Sequence, residues 1–327
     1  MVAVSNDPFT NLVLGFIAIA ILIYAANKIV EKLLKISHYL GVSEMFIGLT
    51  VLSIGTSFAE LITTVVASTD VVRGTLDYKI GSGAVLGTNV GSDLIQLTFI
   101  TGIIALIGVI RAKRDFLKHT FLTMIAAEFF VLIFALDGTV SRLEGFLLFS
   151  GYMAYLYSLY RKEKSEPRSK KAESVNLFIE IPLVAIGFGI LLFCAEFILR
   201  VSVFFVGYYG IGGSLIGALV IGIATAIPEF TTALSSMKKK APDFAVGTLI
   251  GSNITNPAMV ISTGAMISTL AVPRPTVVFD FPFTIIAALI ILFYFWRKGK
   301  LSKWNAISMI LMYLLFVFLR IMLFSVD

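Results

Sequence analysis

The chain has 327 residues, of which 58% are hydrophobic and only 14% are charged, and its formal net charge is +6. Soluble domains carry about 25% charged residues, so this composition excludes a water-soluble globule and indicates an integral membrane protein. The first nine residues, MVAVSNDPF, contain no Lys or Arg. We therefore expect no cleaved signal peptide, which would need a basic N-terminal region.

Apolar stretches predict the membrane spans, because a spanning helix needs about 20 mostly apolar residues. Ten segments fit this length, at residues 10–27, 44–68, 82–110, 119–136, 143–160, 177–199, 211–236, 244–270, 279–296 and 304–325. The second, third, seventh and eighth are rich in Gly, Ser, Thr and Asn, which permit close helix packing and helix breaks. The fold class is therefore predicted to be an all-α membrane protein with ten transmembrane helices.

The Lys and Arg residues divide unevenly between the loops. Of the 26 in the chain, twenty lie in the odd-numbered loops and only five in the even-numbered loops. Cytoplasmic loops carry an excess of Lys and Arg. This distribution places the odd loops in the cytoplasm and both termini outside it, and we expect the membrane to be the plasma membrane.

One hydrophilic linker, RKEKSEPRSKKAESVN at residues 161–176, separates two groups of five segments. We read it as a solvated cytoplasmic connector between residues 1–160 and residues 177–327. An odd number of spans makes the second half enter the membrane with the opposite orientation. The two halves are therefore predicted to be inverted-topology repeats related by a pseudo-two-fold axis in the membrane plane.

The repeats share two motifs, within residues 48–97 and 217–257. GLTVLSIGTSFAELITTVVAS at residues 48–68 matches GALVIGIATAIPEFTTALSSM at residues 217–237 with a shift of 169 residues, which superposes Glu60 on Glu229. GTNVGSD at residues 87–93 matches GTLIGSN at residues 247–253 with a shift of 160 residues. A duplicated helix pair that carries a carboxylate is typical of a transporter built from two halves.

Glu60 and Glu229 each stand alone in an apolar run. A carboxylate at the bilayer centre costs at least ~2.5 kcal/mol unless it is paired, protonated or bound to a cation. The sequence offers no Lys or Arg at comparable depth, because Arg320 lies near the end of its segment. These acids are therefore protonated at rest or neutralised by a bound cation, unless they are neutral structural residues.

The neighbouring residues supply oxygen ligands. Thr56 and Ser57 precede Glu60 by one helical turn, and Thr225 precedes Glu229 in the same way. Side chains spaced i, i+4 in the second motifs can also present oxygens to one point, namely Ser92 with Gln96 and Ser252 with Asn256. Calcium prefers such oxygen ligands. Neither motif has a Cys or His cluster, which disfavours zinc, copper or iron.

The segments GTSFAE and GTNVGSDLIQ, with ATAIPE and GTLIGSNITN, resemble the paired alpha-repeats of the cation/calcium exchanger superfamily, most closely its sodium/calcium exchanger branch. RDFLKHTFL and AEFILRVSVFFVGYYGIGGSLIG are also similar to that family, so the resemblance covers nearly the whole chain. It implies alternating access and electrogenic exchange of Na⁺ for Ca²⁺. Glu60 and Glu229 would be shared cation ligands, and Thr56, Ser57, Ser92, Thr225 and Ser252 would bind largely Na⁺.

The sequence departs from the family pattern at several positions. Ala59 replaces a proline and Ala226 replaces a serine, while Asn256 and Gln96 stand where an acid or asparagine is usual. An acid occurs instead at Asp93, as a cation ligand, a proton carrier or a structural residue. This rearrangement leaves H⁺-coupled exchange of Ca²⁺ or another divalent cation open as an alternative.

The remaining acids give weaker signals. Glu128 and Glu196 are interpreted as structural or as reaching the interface, although either can serve a proton path, and Glu180 as interfacial. The predicted partners are inorganic cations and the lipid bilayer, with no covalent cofactor and no nucleic acid, and the chain is expected to function as a monomer. A transporter is favoured over an enzyme, since an intramembrane hydrolase would need a paired aspartate motif. A cation channel is the other alternative.

Overall fold

The computed structural model describes residues 5–110, 114–165, 175–208 and 222–324, and most of these residues are helical. The helices of the first half are α1 (Pro8–Leu40), α2 (Glu44–Ile47), α3 (Ser53–Thr56), α4 (Phe58–Val72), α5 (Tyr78–Ile95), α6 (Thr101–Ile107), α7 (Arg114–Phe134) and α8 (Arg142–Ser165). The labelled helices of the second half are α9 (Leu177–Tyr208), α10 (Ile227–Lys238), α11 (Pro242–Thr255), α12 (Ser262–Ile267), α13 (Phe281–Lys298) and α14 (Lys303–Phe324). Residues 222–225 are also helical.

Short irregular elements join several of these helices. Wider, π-helical turns occupy Gly48–Leu52, Gln96–Ile100, Asn256–Ile261 and Thr276–Asp280. A single 3-10 turn covers Ala135–Asp137 in the described part of the chain. Two short strands, β1 (Thr139–Val140) and β2 (Leu270–Ala271), pair antiparallel with Thr139 opposite Ala271 and Val140 opposite Leu270.

The all-α membrane class is confirmed, and the ten-span count is supported in part. Within the described residues, seven helical stretches are long and apolar enough to cross a bilayer, and the bent pair Glu44–Thr56 and Phe58–Val72 makes eight if it is one span. Helix α8 is 24 residues long, but several tyrosines lower its apolar character. Of the predicted segment 211–236, residues 211–221 lie outside the described part. The ten-span topology therefore stays a prediction.

Helix α1 extends well beyond the predicted segment 10–27. The Asp7 side chain caps its start by accepting a hydrogen bond of 2.8 Å from the Thr10 amide. Gly41, with φ of 67°, ends the helix in the left-handed conformation that glycine adopts readily. Its polar last turns carry the basic residues of the first loop, so the helix continues past the apolar stretch. Helix α1 packs along α9, which begins 169 residues later.

Loops assigned to the same side by their charge meet in the structure. Between odd loops, the Leu301 amide donates to the Ile110 carbonyl at 3.1 Å, and Lys239 lies 3.8 Å from Glu31. Between even loops, β1 pairs with β2 and the Arg142 guanidinium donates to the Ile267 carbonyl at 3.1 Å. These contacts agree with the predicted division of the loops into two sets at opposite ends of the bundle.

Close crossings of small residues pack the two halves together. A Cβ atom on Gly48 would lie 2.9 Å from the Gly247 Cα, so the α2–α3 region and α11 touch backbone to backbone. A Cβ on Gly251 would lie 2.7 Å from the Ser53 Cβ, and one on Gly222 would lie 3.3 Å from the Gly91 carbonyl carbon. The last two crossings correspond to each other under the shifts of 169 and 160 residues. Such small residues let helices approach closely in membranes.

Candidate cation-binding site

Two matching helix breaks position the central glutamates. Ser57 (φ −72°, ψ 3°) interrupts the helix before α4, and Ala226 (φ −81°, ψ −3°) interrupts the helix before α10. The first break bends the chain by 42°. Glu60 and Glu229 follow in the first turns of α4 and α10. The partial positive charge at a helix N-terminus stabilises a carboxylate placed there.

All ten predicted site residues are buried, with at most 8% of any one exposed. Many of their oxygen atoms have no hydrogen-bond partner within the described protein. These atoms are Ser57 Oγ, Glu60 Oε2, Asp93 Oδ2, Gln96 Oε1, Glu229 Oε1 and Oε2, Ser252 Oγ and Asn256 Oδ1. Buried polar atoms are nearly always hydrogen-bonded in proteins, so this concentration of free oxygens indicates a binding site.

Contacts between the two motifs bring part of the predicted set together. The Ser92 hydroxyl donates to Glu60 Oε1 at 3.4 Å, and the Gln96 amide donates to Ser92 Oγ at 2.8 Å. Glu60 and Glu229 are near enough to interact electrostatically, and the Thr56 hydroxyl lies beside the Glu229 carboxylate. Residues from both halves thus face one buried region.

The threonine hydroxyls are oriented by their own helices. Thr56 Oγ1 donates to the Leu52 carbonyl at 3.1 Å, and Thr225 Oγ1 donates to the Gly222 carbonyl at 3.2 Å. Because the hydroxyl proton points along the helix, the oxygen lone pairs remain available as acceptors or cation ligands. Thr56 is therefore well placed to bind a cation next to Glu229.

Asp93 and Asn256 are joined across the two halves. The Asn256 side-chain amide donates to Asp93 Oδ1 at 2.7 Å, which leaves Asn256 Oδ1 and Asp93 Oδ2 without a hydrogen-bond partner. Both residues precede or begin matching π-helical turns, at Gln96–Ile100 and Asn256–Ile261. The amide and the acid have therefore exchanged places relative to the family pattern while still meeting each other.

Glu128 lies at this site, which the sequence interpretation missed. It is 2% exposed on α7, both of its carboxylate oxygens lack a hydrogen-bond partner, and its carboxyl group interacts directly with that of Asp93. Its predicted place at the interface is therefore wrong. The only sequence signal was a lone acid in an otherwise smooth apolar span, AAEFFVLIF.

Other acids form ion pairs away from the site. Glu196 pairs with Arg200 at 2.6 Å on the exposed side of α9, as expected of a residue near a span end. Arg320 pairs with Asp280 at 3.0 Å, and both side chains are less than a fifth exposed. The sequence interpretation overlooked Asp280 and therefore left Arg320 without a partner.

The charge balance of the site is negative. In the described part of the chain, Glu60, Asp93, Glu128 and Glu229 form no ion pair with Lys, Arg or His. Among the same described residues, no three Asp, Glu, His or Cys side chains are grouped closely enough to hold one metal ion. Any cation bound here would therefore be held by one or two carboxylates together with hydroxyl and amide oxygens.

Comparison with known proteins extends the similarity to the whole chain. The sequence matches the family described as sodium/calcium exchanger protein over residues 10–161 and 179–322. It is 25% identical to the sodium/calcium exchanger MaX1 of Methanosarcina acetivorans, over 94% of this chain and 97% of that protein. It is 26% identical to the inner membrane protein YrbG of Escherichia coli, over 86% of this chain and 88% of that protein.

The fold also matches solved structures. A structure of the sodium-calcium exchanger NCX_Mj superposes with a TM-score of 0.79 at 22% sequence identity, and the match covers 94% of this chain and 98% of that one. This similarity establishes the fold. Since the family match spans both motifs and most of the chain, the protein belongs to the sodium/calcium exchanger family.

Proposed function

We propose that the protein is a secondary cation antiporter that exchanges Na⁺ for Ca²⁺ by alternating access. Glu60 and Glu229 would be the shared ligands, and Na⁺ and Ca²⁺ would compete for them. Since one set of carboxylates serves both ions, binding of one requires release of the other. This competition couples the two fluxes, and the protein acts as a transporter and not as an enzyme.

The observation that carries the proposal is the set of buried carboxylate, hydroxyl and amide oxygens without protein partners. Glu60 and Glu229 are at most 1% exposed, and neither has a basic partner among the described residues. Leaving such groups uncompensated costs several kcal/mol in a membrane, on the order of 2.5 kcal/mol for each acid. A transported cation supplies the missing charge and accepts the free oxygens as ligands.

Support for two inverted repeats comes from matching features in the two halves. The breaks at Ser57 and Ala226, the π-helical turns at residues 96 and 256, and the crossings Gly251–Ser53 and Gly91–Gly222 recur at the sequence shifts of 169 and 160 residues. We infer ten spans in two halves that rock around the central site. The basic odd loops would face the cytoplasm and both termini would lie outside the plasma membrane.

The remaining residues of the proposed ligand set differ in how well their contacts support them. Thr56, Ser57 and Ser92 lie beside Glu60 or Glu229 or carry a free oxygen. The others are Asp93, Gln96, Thr225, Ser252 and Asn256. We propose that hydroxyl oxygens bind mainly Na⁺, because Na⁺ can be held by neutral oxygens while a divalent cation needs carboxylates.

H⁺-coupled exchange of a divalent cation is the second candidate, and Asp93 favours it. This acid occupies a position where an asparagine is usual, is fully buried, and leaves one oxygen without a partner. A carboxyl group can release a proton when a cation arrives, which an amide cannot do. Asp93 would then carry the proton in the half-cycle without the divalent cation.

The test is uptake of radiolabelled Ca²⁺ into proteoliposomes, driven separately by an outward Na⁺ gradient and by an outward H⁺ gradient. The proposal predicts saturable uptake driven by Na⁺ and little uptake driven by H⁺ when the membrane potential is clamped. The reverse result would establish H⁺ coupling. Uptake that needs no counter-ion on the opposite side would indicate a channel and overturn both.

A further inference from the structure

Beyond Glu60 and Glu229, a second pair of buried acids lies where the halves meet. Asp93 on α5 and Glu128 on α7 interact directly, and this interaction is stronger than that of Asp93 with either Glu60 or Glu229. The π-helical turn that begins at Asn256 packs against both helices and hydrogen-bonds Asp93. Three separate elements thus converge on this pair.

The polar atoms around this pair leave four oxygens free. Glu128 Oε1 and Oε2, Asp93 Oδ2 and Asn256 Oδ1 are buried and have no hydrogen-bond partner in the described protein. The Asn256 amide nitrogen already donates to Asp93 Oδ1, so it cannot also satisfy Glu128. A helix buried in a bundle gains nothing from an unpartnered carboxylate, whose desolvation would oppose folding.

The geometry points to a second cation subsite, made by Glu128, Asp93 and Asn256, that holds one Na⁺ while the Glu60 and Glu229 pair holds the exchanged ion. This inference rests on the proposed antiport function. Four oxygens are fewer than the six to eight that Ca²⁺ takes, which favours a monovalent cation at this subsite. The absence of three grouped acids in the described residues agrees with two separate pairs and not one three-acid site.

A second subsite has a consequence for coupling. Each Na⁺ that must move with the cycle multiplies the equilibrium Ca²⁺ accumulation by the Na⁺ concentration ratio. With the membrane potential clamped at zero and an approximately tenfold Na⁺ gradient, loss of one coupled Na⁺ lowers the final Ca²⁺ ratio about tenfold, since a tenfold change corresponds to ~1.4 kcal/mol of driving energy.

The experiment compares the wild type with Glu128→Gln, which keeps the shape of the side chain and removes its charge. The final Ca²⁺ ratio is measured in proteoliposomes at several Na⁺ gradients. We expect Glu128→Gln to show a shallower dependence on the Na⁺ ratio, lower by one Na⁺, with the Ca²⁺ half-saturation little changed. Glu196→Gln is the control, because Glu196 is exposed and already paired with Arg200.

Glu128→Asp keeps a carboxylate on a shorter side chain, so we expect it to retain the wild-type slope with weaker Na⁺ affinity. An unchanged slope in Glu128→Gln would overturn the subsite and make Glu128 a neutral structural acid. If Glu128→Gln folds but does not transport, equilibrium binding of radiolabelled Na⁺ and Ca²⁺ in detergent decides. Loss of Na⁺ with retention of Ca²⁺ supports the subsite, and loss of both or neither refutes it.

If Glu128→Gln does not fold, Glu128→Asp replaces it, and wild-type Na⁺ affinity in that variant refutes the subsite. Failure of the proposed function gives a different result. A wild-type protein without Na⁺-driven Ca²⁺ uptake contradicts the antiport proposal, while Na⁺ binding to the wild type and to Glu128→Gln still tests the subsite directly.

Discussion

Replacing Gly247 with alanine should destabilise the protein, because this glycine touches the backbone of the other half. The added Cβ would lie 2.9 Å from both the Gly48 Cα and the Met45 carbonyl oxygen. Backbone atoms cannot rotate away, so the helices must separate by several tenths of an ångström. Overpacking of this kind costs about 1–3 kcal/mol, and the better helix propensity of alanine recovers up to about 1 kcal/mol. We expect a net loss of roughly 1–2 kcal/mol.

Two further glycines complete a graded series. Gly222→Ala places its Cβ 3.3 Å from the Gly91 carbonyl carbon, which is tight but tolerable, so the two terms should nearly cancel. Gly151→Ala meets nothing within 4 Å on α8 and should stabilise the protein by up to about 1 kcal/mol.

The assay is the apparent Tm in detergent, followed by tryptophan fluorescence and by retention on size exclusion. A change of 1 kcal/mol moves Tm by about 2–4 °C in domains of moderate size. The expected order is Gly151→Ala above wild type, Gly222→Ala near it, and Gly247→Ala below it. Equal Tm values for Gly247→Ala and Gly151→Ala would refute the close backbone crossing.

Two other substitutions separate binding from stability. Ser57→Ala removes a buried hydroxyl that has no partner in the described protein, so we expect unchanged Tm without cations and several-fold weaker Na⁺ activation of Ca²⁺ uptake; Ser53→Ala, whose hydroxyl donates to its own helix, is the control and should leave that activation unchanged. Asp280→Ala leaves Arg320 unpaired and should cost about 2 kcal/mol, less than the ~3–5 kcal/mol of a fully buried pair. The double variant with Asp280→Asn and Arg320→Gln should recover most of the lost Tm, and a double variant as unstable as the single one would show that the ion pair is unimportant.

Repetition in the sequence made the architecture around the site predictable. The shift of 169 residues that superposes Glu60 on Glu229 also superposes Ser57 on Ala226, and both residues break their helices. Such a break needs only local features, since small residues weaken the helix and an acid in the next turn favours a helix start. The parity of the basic loops was informative for a similar reason, because charge acts on each loop separately.

Side-chain partners across the bundle were not predictable in the same way. Glu128 meets Asp93, and Asp280 meets Arg320, although each pair is far apart in sequence and lies in a smooth apolar span. Hydropathy identifies such spans but does not say which side of the helix faces the bundle interior. The hydrogen bond between Asn256 and Asp93 was hidden too, because it depends on how α5 and the second π-helical turn pack.

The central claim is that moving cations neutralise Glu60 and Glu229, and one measurement tests it most directly. Ca²⁺ uptake driven by a Na⁺ gradient is compared in proteoliposomes that contain the wild type, Glu60→Gln, Glu229→Gln or the control Glu196→Gln. The account predicts that both central substitutions abolish counter-transport while the control keeps it. Near-normal uptake in Glu60→Gln and in Glu229→Gln would contradict the account and remove these carboxylates from the mechanism.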